Sequence, residues 1–188
     1  MTSSQIESRC LEPIAKLLNK ELCVPRIYFG LTWPPKYAGG QHVDVLAIDN
    51  GGLGDVHAVV LKQSAADALH EIPRLMEAES HFRWIAFLAK SLTPKIKSRI
   101  ISRREFFPPS GSGCIGAIQI RENPDQLKNV PFGAGRVSAA ERDLRRAGLN
   151  SPELLAEIVV YPERFHGLKY SQIEAYTKNL EPDIYVKI

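Results

Sequence analysis

Residues 42–62 read HVDVLAIDNGGLGDVHAVVLK. Two apolar runs rich in β-branched residues, 43–49 and 56–62, flank NGGLGD, whose glycines supply the positive φ angles that a hairpin needs. The stretch therefore predicts an antiparallel strand pair, with Asp44 near the start of the first strand and Lys62 closing the second. Side chains alternate along a strand, so Val60 shares a strand face with Lys62.

The flanking segments place this hairpin in a larger order. Ser4 and Glu7 form a capping-box pattern, and Ile6, Cys10, Ile14, Leu17 and Leu18 follow at helical spacing, which predicts a helix over about 4–22 with Pro13 as a kink or a break. RIYFGLTWPP is a strand or an irregular approach to the sheet, stopped by two prolines. Ser64 and Asp67 open a second helix containing Leu69, Ile72, Leu75 and Met76, with Pro73 as another kink or break. WIAFLA near 84–89 predicts a buried strand, Pro94 to Arg104 a basic helix, and CIGAIQI a strand buried on both faces.

Beyond it the sequence turns helical. Ser138 and Glu141 cap a segment ending at Gly148, Pro152 takes the first turn of a next helix, and Ser171 with Glu174 caps a third. IYVKI closes as an edge strand. The order predicts an α/β protein, a mixed central sheet flanked by helices, in one domain over 1–188 with a helical extension over about 125–188.

At 188 residues and 44% hydrophobic content, the chain suffices for one globular core. Cys10, Cys23 and Cys114 lack the pairing and spacing of a disulfide framework or a zinc site, which fits a reducing, cytoplasmic setting. Charges interrupt the apolar stretch of the first twenty residues, so no secretion signal or membrane role is expected. His70-Glu71 lacks the second histidine of an HExxH site, and PPSGSGCIG precedes a strand, unlike a serine nucleophile elbow, and lacks the GKS or GKT of a Walker motif. The net charge of +3 is mild, but 90–104 holds Lys90, Lys95, Lys97, Arg99, Arg103 and Arg104 with no acidic residue. Such a run is a solvated helix face or a phosphate-contacting surface; Arg136, Arg142, Arg145 and Arg146 form a looser second group.

The order helix, strand with Asp44, strand ending at Lys62, helix, strand, helix, strand resembles the core of the PD-(D/E)XK, or restriction-endonuclease-like, nuclease superfamily over about 4–121. The resemblance implies a restriction-endonuclease-like core and phosphodiester hydrolysis with Mg2+ or Mn2+. It makes Asp44 the first metal ligand and Lys62 the charge-stabilising lysine. The family's acidic residue two before the lysine is Val60 here, a departure that implies an altered or degenerate site.

Asp67 is engaged in its capping box, so Glu71, one turn on, is the better substitute metal ligand and catalytic residue; Glu7 matches an extra acidic position of some members loosely. Each has an ordinary alternative: a turn-bonded or solvated Asp44, a Lys62 that protects a strand end, a core Val60, and exposed helix residues Glu7 and Glu71. The expected partner is nucleic acid, DNA before RNA, contacted by Lys95, Lys97, Arg99, Arg103 and Arg104. The alternative is a catalytically inactive nuclease-fold protein serving as a binding or assembly subunit, with a protein partner or a homodimer.

Overall fold

The computed structural model describes residues 3–49, 54–88, 93–96, 98, 115–122, 153–166 and 168–185. Helix α1 (Ser3–Leu22) buries Cys10, Ile14 and Leu18, spaced four apart on one side, and runs unbroken through Pro13. It ends where Cys23 takes a left-handed φ of 53°, and the Asn19 side-chain amide donates to the Val24 carbonyl at 3.0 Å. Strand β1 (Arg26–Trp33) follows, then a short 3-10 turn (Lys36–Ala38), β2 (Gln41–Ile48) and β3 (Val56–Lys62). The β2–β3 pair is antiparallel, as the hairpin pattern predicts.

Helices α2 (Ala65–His70) and α3 (Ile72–Met76) divide at Glu71, with Pro73 in the first turn of α3, where its missing N–H costs nothing. Next come β4 (Phe82–Leu88), β5 (Gly116–Glu122), β6 (Leu154–Val160), α4 (Tyr170–Thr177) and β7 (Ile184–Tyr185). One seven-stranded sheet has the order β6-β5-β4-β3-β2-β1-β7. β3, β4 and β5 run parallel to one another, and the other pairings are antiparallel. The class is α/β, a mixed sheet flanked by helices.

Alternation with period two sends the strands' side chains to two cores. On one face Val45, Ala47, Val59, Leu61, Trp84 and Ala86 pack against α1. On the other, Leu46, Ala58, Val60, Ile85 and Phe87 pack against Ala65, Ala68 and Leu75 of the α2–α3 pair and Ile173 of α4.

Two expectations are corrected. The helix expected from Pro152 onward is strand β6: Leu154, Ala156 and Ile158 face the α1 core in alternation, and pairing to β5 satisfies backbone groups that would otherwise form a bare edge. The C-terminal extension is therefore only partly helical. The box at the start of α4 is not Ser171 with Glu174; Gln172 Oε1 accepts from the Lys169 N–H at 3.0 Å. The start expected for α2 is found: Ser64 Oγ caps the Asp67 N–H at 3.0 Å, and the Asp67 carboxylate accepts from the Ser64 hydroxyl at 2.6 Å. The terminal edge strand is found as β7, against β1, with Asp183 accepting from the Phe29 N–H at 2.6 Å. Ser138, Glu141 and Gly148 lie outside the described residues.

Irregular chain over 161–166 and 168–169 crosses the end of the sheet where β3, β4 and β5 begin. Pro162 sits against Gly116, Arg164 donates twice to Asp55 Oδ1 (3.0 and 2.8 Å), and the Phe165 N–H donates to the His81 carbonyl at 2.7 Å. The buried Arg83 guanidinium lies 4.3 Å over the Phe165 ring. At the far end of this strap, Tyr170 lies over Gly54, whose φ of +60° and missing Cβ both suit the contact.

Candidate functional site

At the other end of the sheet β2 and β3 part. β2 pairs with β1 along its length, from Arg26↔Ile48 to Trp33↔Gln41, but with β3 only from Ile48↔Val56 to Val45↔Val59. Asp44 is the first residue past the fork, and its Oδ2 accepts from the Leu61 N–H at 2.7 Å, in place of a ladder bond. Opposite Asp44 in β1 lies Gly30, between the pairs Phe29↔Val45 and Leu31↔Val43, with φ at +58°. The alternation of β2 breaks there, for Val43 packs with the Leu46 core and not with that of Val45. The fork thus leaves Asp44 partly exposed (28%), with its Oδ1 3.6 Å from His42 Nε2.

Lys62 ends β3 beside Phe87 of β4. Because Ser64 starts α2 two residues later and α2 ends at Glu71, the elbow between α2 and α3 returns a carboxylate to the strand end. Glu71 Oε1 is 3.2 Å from Lys62 Nζ, and Glu71 Oε2 is 3.2 Å from Arg74 Nη1. Glu77, past α3, accepts from the Gln41 side chain at 2.9 Å and ties the start of β2 to the helices. Val60 is 3% exposed and belongs to the core between the sheet and α2–α3.

Asp44, Lys62 and Glu71 thus all sit at or beside the fork, with Glu71 and Lys62 in direct contact. Arg74 was not singled out by sequence, though its spacing of three from Glu71 on a helical pattern was the available signal. Lys95 is exposed in a helical stretch at 94–96. Lys97, Arg99, Arg103 and Arg104 lie outside the described residues, as do Lys90, the second arginine group and the Glu7 side chain.

A magnesium or manganese ion needs several oxygen ligands free to displace its water. Here one Asp44 oxygen is spent on an amide, both Glu71 oxygens face cations, and Val60 offers none. Among the described residues no group of three or more His, Cys, Asp or Glu side chains could hold a metal. As placed, these residues do not fit a resident divalent ion. No helix among the described residues is long and apolar enough to cross a membrane.

The strap end differs in its electrostatics. His57 is buried, stacked 4.6 Å from the Phe82 ring, and its Nδ1 accepts from the Trp84 indole at 3.3 Å. Burial lowers its pKa from 6.5 to about 4, so the ring is neutral at pH 7. His81 Nδ1 accepts from the Val56 N–H at 3.1 Å, which requires that nitrogen to be unprotonated; its 3.7 Å approach to Asp55 is therefore no ion pair. Burial first, and then the Arg164 charge, lower the His81 pKa, against the opposing pull of Asp55.

No protein-family model, curated protein or solved structure matches the chain.

Proposed function

We propose that the protein is a restriction-endonuclease-like nucleic-acid-binding protein with a degenerate metal site, which holds DNA through its phosphates without cutting it. What carries this is the company Glu71 keeps: the carboxylate paired with Lys62 is engaged by two cations, and the strand position where the resembling family has its second acid is the buried Val60. The succession of α1, the β1–β2–β3 meander, α2–α3 and parallel β4 supports the likeness, as does the location of Asp44 and Lys62 at one end of the sheet. That end holds the carboxyl ends of parallel strands β3 and β4, where α/β proteins bind ligands. The chain leaves β4 at Leu88, and the acid-free basic run 90–104 follows directly in sequence.

The contact between Glu71 and Lys62 favours one second reading, a magnesium- or manganese-dependent phosphodiesterase in which Glu71 supplies the missing carboxylate. Binding to duplex and single-stranded DNA and to RNA, measured against salt and followed on a gel with Mg2+ and Mn2+, separates the two. Under the first, affinity falls with salt by about one logarithmic unit per phosphate contact, the Lys95, Lys97 and Arg99 triple alanine variant flattens that slope, and the nucleic acid stays intact. Cleavage abolished by Asp44→Ala and by Glu71→Ala would establish the second. Absence of any binding at low salt would leave a protein partner or a second copy of the chain as the ligand.

A further inference from the structure

Resting on the nucleic-acid-binding reading, we propose that Lys62 and Arg74 form a phosphodiester-binding pair and that Glu71 is its internal competitor, occupying the pair until a nucleic-acid phosphate displaces it. Glu71 presents two oxygens sharing one negative charge, each 3.2 Å from a different cation. A phosphodiester also presents two unesterified oxygens sharing one negative charge, so it can replace the carboxylate oxygen for oxygen.

The placement makes the exchange accessible. Lys62, Arg74 and Glu71 are 33%, 42% and 22% exposed, and ion pairs at such positions are weak enough to open readily. The cations stand on separate elements, Lys62 on β3 and Arg74 on α3, while Glu71 is held between them by the α2–α3 elbow at φ −82° and ψ −8°. Rotation of the Glu71 side chain frees both cations without moving either element. The nearby acids have other partners: Asp44 bonds to the Leu61 N–H and Glu77 to Gln41. Among the described acids at this end, Glu71 is the one that bridges two cations.

The test is DNA binding by Glu71→Gln, followed by fluorescence anisotropy with a short duplex, with Glu77→Gln as a control that removes one negative charge from the same region. Glu71→Gln is expected to tighten binding about tenfold at low salt and to steepen the salt slope by about one. Glu77→Gln should change affinity by less than about twofold, and adding Lys62→Met to Glu71→Gln should cancel the gain. Thermal melting verifies folding, with Glu71→Ala in reserve.

Equal effects of the two glutamine variants, with the wild type still binding DNA, overturn the competitor role and leave the nucleic-acid reading standing. Absence of DNA binding by every variant overturns both. Stabilisation of Glu71→Gln by inorganic phosphate with no gain in DNA affinity overturns the proposal in favour of a free phosphate ligand.

Discussion

The two ends of this sheet spend their polar groups differently. Where β3 and β4 begin, His57, His81 and Arg83 are each 6% exposed or less, and a strap from the C-terminal part of the chain closes over them. Where the same strands end, Asp44, Lys62, Glu71 and Arg74 are 22% to 42% exposed; Glu71 meets Lys62 and Arg74 at 3.2 Å each, and Asp44 meets the Leu61 N–H at 2.7 Å and His42 at 3.6 Å, through contacts that water and solutes can reach. Buried polar groups must keep their partners or lose desolvation energy outright, whereas half-exposed ones exchange partners cheaply. The closed end is thus built for stability, and the open end has the exchangeable contacts that binding needs.

The largest expected effect tests where that boundary lies. Val60 shares a strand face with Lys62 yet belongs to the apolar core, so Val60→Glu should cost on the order of 3–5 kcal/mol as a buried charge, read from urea unfolding. A variant that keeps wild-type stability and gains manganese affinity would move Val60 to the open end and break the contrast.

Next in size is acid sensitivity of the closed end. The folded His57 resists protonation until about pH 4, while the unfolded chain takes up that proton near 6.5. Stability should therefore be unaffected by this group above pH 6.5 and fall as pH drops from 6.5 towards 4, by about 1.4 kcal/mol per unit and roughly 3 kcal/mol in all. The lowered pKa of His81 acts in the same direction. Urea midpoints at a series of pH values provide the check; His57→Leu should flatten the profile, and a flat wild-type profile would contradict the burial of His57.

Asp44→Asn at the open end should cost about 1 kcal/mol, since a neutral amide oxygen can still accept from the Leu61 N–H and the site is partly wet. Smallest of all, Arg164→Ala on the strap should cost well under 1 kcal/mol, its guanidinium being 46% exposed despite two bonds to Asp55.

The sequence made the β2–β3 hairpin legible because apolar alternation and a glycine turn are local signals, and both strands were found where those signals lie. Strand β6 was missed because Leu154, Leu155, Ala156 and Glu157 favour helices, and Pro152 resembles a first-turn proline; pairing with β5 overrode that preference. At the candidate site the approach of Glu71 to Lys62 was legible, since one short helix separates them. The fork at Asp44 depends on Gly30 across the β1–β2 ladder, and the strap depends on Arg164 meeting Asp55, 109 residues away. Such long-range partners leave no periodic trace in the chain.

Manganese binding, followed by the loss of the free-ion electron paramagnetic resonance signal at pH 7, tests the central claim most directly. The account predicts a signal undiminished by stoichiometric protein and unchanged by Asp44→Ala or Glu71→Ala, because Asp44 is bonded to β3 and Glu71 to two cations. One tightly bound ion per chain, lost in both alanine variants, would contradict it and make the fork an active metal site.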